Sequence, residues 1–188
     1  MSYIIIGCLA FLFFIVYDIN SVTANYRLLR CGFFAGCLLL LISTGGIVSS
    51  AIRGGLWYPF RTPVFLLAAF LFLILLLYTL FFAIPFQTTY ISSTEPPKTC
   101  RTGFYALSRH PGVLWFIGLY LFLWLAWPGA LLLTAGILFS LFNVAYIILQ
   151  DRWIFMKTFP DYGEYKRTTP FLIPTCRSLK RCVETFRS

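Results

Sequence analysis

The chain has 188 residues, 60% of them hydrophobic and only 11% charged. Its mean hydropathy is +0.83, and a typical globular domain is about 25% charged, so more than half of the usual surface charge is missing. That balance excludes a cytosolic enzyme, a soluble binding module and a disordered tail, and it predicts an all-α integral membrane protein.

Stretches free of charge set out the expected spans. They run from Met1 to Tyr17, from Cys31 to Ile52, from Thr62 to Thr94 and from Pro111 to Gln150. The last is 40 residues long, and one span needs roughly 20 residues at about 1.5 Å each. Trp127-Pro128-Gly129 lies near its middle, and proline followed by glycine breaks a helix. Two helices in a tight hairpin are therefore expected, about Val113–Ala126 and Ala130–Leu149, giving about five transmembrane helices in all. The first stretch lacks a basic leader, so it reads as a retained helix rather than a signal peptide cut near Val22-Thr23-Ala24.

Charge placement gives the orientation. With five spans and the N-terminus outside, thirteen basic residues (Arg27, Arg30, Lys98, Arg101, Arg109 and the eight after Gln150) share one side against Arg53 and Arg61 on the other. Cytoplasmic loops carry the excess of Lys and Arg, so the thirteen-residue side and the C-terminal tail are expected in the cytosol. All six acidic residues and the single histidine, His110, fall on that side too. The formal charge of +9 thus belongs to the membrane surface, and no nucleic-acid partner is expected. The six cysteines form no C-x-x-C pair and one histidine cannot complete a metal set, so no metal is expected. A Cys176–Cys182 disulfide is disfavoured in a cytoplasmic tail.

Two segments offer chemistry. In the first, Thr102-Gly103-Phe104-Tyr105-Ala106-Leu107-Ser108-Arg109-His110-Pro111-Gly112, Pro111 suits the first turn of a helix. Arg109 and His110 then stand beside unpaired backbone N–H donors at its positive end. They make a seat for an anionic ligand group, or else Arg109 anchors to lipid phosphate while His110 caps the helix. In the second, Gln150-Asp151-Arg152-Trp153 ends the last span. Asp151 either pairs with Arg152 or faces inward as a site. The hairpin brings His110 and Asp151 to the same side and height, about one helix-packing distance apart. Beyond them, Phe159-Pro160-Asp161-Tyr162, Tyr165, Pro170 and Pro174 read as a short amphipathic helix and an extended strip, lying on headgroups or folding back over the site.

The pattern T-G-F-Y-x-x-x-R-H-P, a helical hairpin, an acidic residue, then F-P-x-Y-x-x-Y-x-x-x-x-P-x-x-x-P resembles the isoprenylcysteine carboxyl methyltransferase and phospholipid methyltransferase group, over roughly Pro97 to Pro174. The resemblance implies a membrane enzyme that transfers a methyl group from S-adenosylmethionine to a lipid-like or prenylated acceptor, a C-terminal isoprenylcysteine carboxylate among them. It implies cofactor contacts at Tyr105, His110, Pro111, Gly112 and Val113, and by position at Lys98, Thr99 and Cys100; Asp151 corresponds to the family's substrate-side glutamate. Asp151, His110 and Arg109 are the expected catalytic residues. The chain departs from the family at Val113 (usually aromatic), Trp115 (usually glycine), Gln150 (usually acidic) and Phe171 (often arginine). The expected division is a three-span region over 1–94, a methyltransferase-like core over 95–174 and a basic tail over 175–188. The location implied is a cell membrane in a bacterium or the endoplasmic reticulum in a eukaryote. A nicotinamide-dependent membrane reductase with a related helical core, and a non-enzymatic membrane scaffold, are the alternatives.

Overall fold

Apolar segments in a bilayer must satisfy their own backbone hydrogen bonds, and helices do so within one segment. The computed structural model describes residues 1–55, 57–82 and 98–187, and among them every regular element is helical. Helix α1 spans Ser2–Val22. A 3-10 turn at Arg27–Cys31 leads into α2, Gly32–Gly54, and α3 spans Arg61–Phe81. The short α4, Phe104–Leu107, precedes α5, Pro111–Ala126, and α6, Ala130–Leu149. A π-helical turn at Gln150–Ile154 carries α6 into α7, Phe155–Thr158. Then follow α8, Tyr162–Thr168, and α9, Cys176–Arg187.

Four helical runs are long and apolar enough to cross a membrane, namely Ser2–Val22, Arg27–Gly54, Arg61–Phe81 and Ala130–Thr158. This is compatible with a multi-pass membrane protein. α5 is apolar but has only 16 residues. The hairpin breaks where Pro128 and Gly129 stand, between Ala126 and Ala130. Two expectations need correction. α1 continues past Tyr17 to Val22, because Asp18 finds hydrogen-bond donors inside the bundle and so does not end the helix. α3 stops at Phe81, with Phe82 in a turn; Glu95, the Pro96-Pro97 step and the stretch up to Thr94 lie outside the described residues. The basic tail over 175–188 carries the helix α9.

α3 lies along α5, α1 lies along α2, and α6 joins the two pairs by touching α5, α1 and α2. Phe11, Phe116, Tyr120 and Phe139 are buried where the pairs meet, with Phe116 and Tyr120 rings 4.9 Å apart. Gly7 permits the crossing: a Cβ there would lie 2.1 Å from Phe139 Cζ, and Phe139 is fully enclosed with nowhere to move. Hydroxyls bind the helices across the apolar core. Thr44 Oγ1 and Tyr120 Oη share a hydrogen at 2.6 Å, and Ser43 Oγ donates to the Tyr3 carbonyl at 2.7 Å. Outward side chains such as Leu38, Leu41, Leu67, Phe70 and Leu71 are exposed, an apolar exterior that suits lipid rather than water.

Candidate functional site

The site is assembled at the start of α5. Pro111 fills the first helical position, and the strip after α8 fixes the residues before it. Pro170 accepts a hydrogen bond from Arg109 N–H at 3.0 Å. Ser108 Oγ donates to the Phe171 carbonyl at 3.1 Å, and the same oxygen accepts from His110 N–H at 3.2 Å. The strip therefore folds back across the site. His110 stands at the cap position but makes no side-chain cap bond; its imidazole turns toward Asp151 instead.

Asp151 is the hub. Arg109 Nη1 lies 2.7 Å from Asp151 Oδ1, with their side chains 9% and 7% exposed. Lys166 Nζ lies 2.9 Å from Oδ2 and stays 32% exposed, and Tyr162 Oη donates to Oδ1 at 2.8 Å. His110 Nε2 is 3.5 Å from Oδ1, its side chain only 4% exposed. Arg152, the neighbour offered as a simple partner, is exposed, so the inward alternative for Asp151 is the one adopted. The cluster holds one carboxylate against two fixed cations. Nε and Nη1 of Arg109 and Nε2 of His110 are buried without a hydrogen-bond partner among the described residues; Nη1 is close to Asp151 but misaligned. Such donors are costly unless an acceptor meets them.

The rings around His110 make the site dry. Phe155 stacks on the imidazole at 5.9 Å, Phe171 meets it edge-on at 5.2 Å, and the Arg109 guanidinium lies 5.4 Å above the Phe171 ring. Burial lowers the imidazole's pKa from its ordinary 6.5, against the opposing pull of Asp151 and with help from Arg109 and Lys166. His110 is thus neutral at pH 7. Between the folded and unfolded values the unfolded chain binds a proton that the folded chain refuses, so stability is full above about 6.5 and falls as pH drops below it. Thermal unfolding followed from about pH 8 to about pH 5 is expected to show that decline, and His110→Gln to flatten it. An unchanged slope in the variant would assign the decline to another group.

The predicted cofactor strip lies beside this cluster. Asp161 accepts from Thr99 N–H at 3.0 Å and from Thr99 Oγ1, and Arg101 Nη2 bridges Asp161 and Glu164 at 2.9 Å each. Although burial raises the Asp161 pKa, the bonds from Thr99 and Arg101 leave it below the usual carboxylate value. Tyr165 Oη donates to the Tyr105 carbonyl at 2.6 Å, and burial pushes that phenol up. Its ring meets that of Tyr162 at 5.7 Å. Tyr105 Oη in turn donates to the Thr79 carbonyl at 3.1 Å. Lys98 is exposed and Cys100 half-buried. Pro111 and Val113 are buried, and a Cβ on Gly112 would face Leu76 and Leu80 of α3 at 3.7 and 3.9 Å.

Sequence reasoning missed Lys166, Tyr162 and Phe155 as neighbours of Asp151 and His110. It also marked Trp115, Gln150 and Phe171 only as departures, yet each has a task. Trp115 Nε1 donates to Thr79 Oγ1 at 3.0 Å, fixing α5 to α3. Gln150 turns away from Asp151, and its Nε2 donates to Asp18 Oδ2 at 2.8 Å beside the Tyr146 hydroxyl at 2.7 Å. Adjacent side chains on a helix point about 100° apart, which is enough to send these two to different clusters where the π turn begins. All six cysteines are free thiols. Among the described residues no group of His, Cys, Asp and Glu is placed to hold a metal ion. No protein-family model, no curated protein and no solved structure matches this chain, so a functional reading rests on its own residues.

Proposed function

We propose that the chain is an integral membrane methyltransferase that uses S-adenosylmethionine and acts on a lipid-like or prenylated acceptor. The supporting observation is the buried Arg109–His110–Asp151 cluster, whose unsatisfied donors Arg109 Nε and His110 Nε2 fit an anionic group. S-adenosylmethionine carries such a carboxylate, and when bound it supplies a methyl group on a sulfonium cation. Arg109 and His110 would hold the carboxylate, and the Tyr105, Tyr162 and Tyr165 side of the cluster would take the rest. Phe155 and Phe171 exclude water, which favours reaction of a group whose charge is neutralised on transfer. Neutral His110 can take a proton from a hydroxyl or amine acceptor, whereas a carboxylate acceptor needs no base. α5 counts as a fifth span in this reading, with the N-terminus outside and α8 and α9 in the cytosol, since thirteen basic residues then lie inside.

The test is binding of labelled S-adenosylmethionine to detergent-purified protein. Wild type is expected to bind saturably in the micromolar range, and His110→Ala to weaken binding about tenfold or more. His110 is buried with Phe155 stacked on its ring, so the variant also leaves a cavity; its thermal stability is measured alongside, and binding is counted per folded protein. Saturable binding of a nicotinamide cofactor in place of S-adenosylmethionine would move the assignment to the reductase class. Binding of neither would leave the scaffold reading.

A further inference from the structure

Helix α9 takes no part in the Asp151 cluster. Ser178 and Cys182 are buried, and Cys182 packs with Ala106 and Leu107 beside Phe104 and Trp115. Thr185 Oγ1 accepts from Gly103 N–H at 3.0 Å, and the Phe186 and Phe104 rings are 5.1 Å apart. Gly103 has a φ of +59° and a Cβ there would lie 3.3 Å from Phe186 Cζ, so glycine is what lets α9 sit this close to α4. The stripe about 100° round the helix, which shares Phe186 with the packed side, is built differently. Leu179, Val183 and Phe186 stand at i, i+4 and i+7, one helical stripe, and all are exposed. Lys180 stands about 100° beyond Leu179 and Arg177 further round the helix, both exposed; Lys180 Nζ lies 4.0 Å from Glu184 Oε1, a pair open to solvent. The helix carries four basic residues against one acid, Glu184.

The stripe is continuous with the lipid-facing exterior of the bundle. Phe104, which holds Phe186, also meets Tyr78 near the end of α3 at 5.9 Å, and Leu77, Tyr78 and Phe81 are exposed there. An apolar ridge with a cationic flank, attached at the level of the first turns of α5, matches a helix lying in a headgroup layer. The ridge alone would suit any lipid; Arg177 and Lys180 select phosphate-rich, negatively charged lipid. We infer that α9 is an interfacial helix that docks on an anionic phospholipid surface, with Leu179 and Val183 at the acyl-chain boundary and Arg177 and Lys180 on the phosphates. Because α4 runs through Ser108 into Arg109 and His110, docking of α9 also braces the mouth of the site. The docking itself does not rest on the methyltransferase reading.

Trypsin reads the inference on the full chain without any cofactor, since Arg177 and Lys180 are cleavage sites within α9. The protein is placed in nanodiscs of phosphatidylcholine alone or mixed with phosphatidylglycerol. Cleavage after Arg177 and Lys180 is expected to be at least about fivefold slower with phosphatidylglycerol. The pair Leu179→Glu and Val183→Glu is expected to remove that protection. Neither side chain belongs to the cluster packed on α4, and both are exposed, so in phosphatidylcholine the variant should be cleaved no faster than wild type. Equal cleavage in the two lipids, or protection undiminished in the variant, overturns the inference.

Discussion

Asparagine in place of Asp151 is expected to lower stability by about 3–5 kcal/mol, because it leaves the Arg109 guanidinium buried beside a neutral amide. Arg109 is 9% exposed and pairs with Asp151 at 2.7 Å, so it cannot reach water without opening the strip that covers it. Lys166 is 32% exposed and can relax outward, so most of the cost falls on Arg109. A loss of that size is a large part of the roughly 5–15 kcal/mol that holds a folded protein together. The measurement is thermal or denaturant unfolding in a fixed detergent, followed by tryptophan fluorescence. An unchanged midpoint would mean that Asp151 does not compensate the buried charge.

The second large effect separates folding from function at the same pair. Arg109→Leu is expected to weaken S-adenosylmethionine binding roughly 10- to 100-fold, the range for losing a hydrogen bond to a charged group. Its stability cost should be smaller than that of Asp151→Asn, since Lys166 at 2.9 Å and Tyr162 at 2.8 Å still serve the carboxylate. Replacing both Arg109 and Asp151 by leucine is expected to recover much of the stability lost in Asp151→Asn, because a buried ion pair is seldom more stabilising than apolar residues of similar volume. Binding should stay lost. If binding returns along with stability, the pair merely supports the fold and the ligand is held elsewhere.

The part of this arrangement legible in the sequence was the part fixed by local rules. Pro128-Gly129 ends α5 and starts α6 by backbone chemistry, and two helices joined by so short a turn must return to the same side. The approach of His110 to Asp151 follows from that alone. What escaped was set by contacts between elements. Lys166 and Tyr162 reach Asp151 because the chain turns back between α7 and α8. Gln150 and Asp151 look like a pair in the sequence, but Gln150 stands one turn after Tyr146 and shares its partner Asp18, a residue whose burial in α1 no local signal announced. The α9 stripe was visible in Leu179, Val183 and Phe186, but the charges between them made the segment read as a tail.

The two legs of the hairpin are unequal, and that inequality concerns the bilayer itself. α5 has 16 residues, a rise of about 24 Å against a hydrocarbon layer of about 30 Å. The run from Ala130 to Thr158 has 29 residues and easily clears it. As a span, α5 must either thin the membrane around it or hold its Pro111 end below the headgroups, at a cost of a fraction of a kcal/mol per Å. Arg109 and His110 are tied to that end. An acceptor bound there would meet the reacting groups without lifting its chains out of the oil, and membrane thickness would tune how readily it arrives.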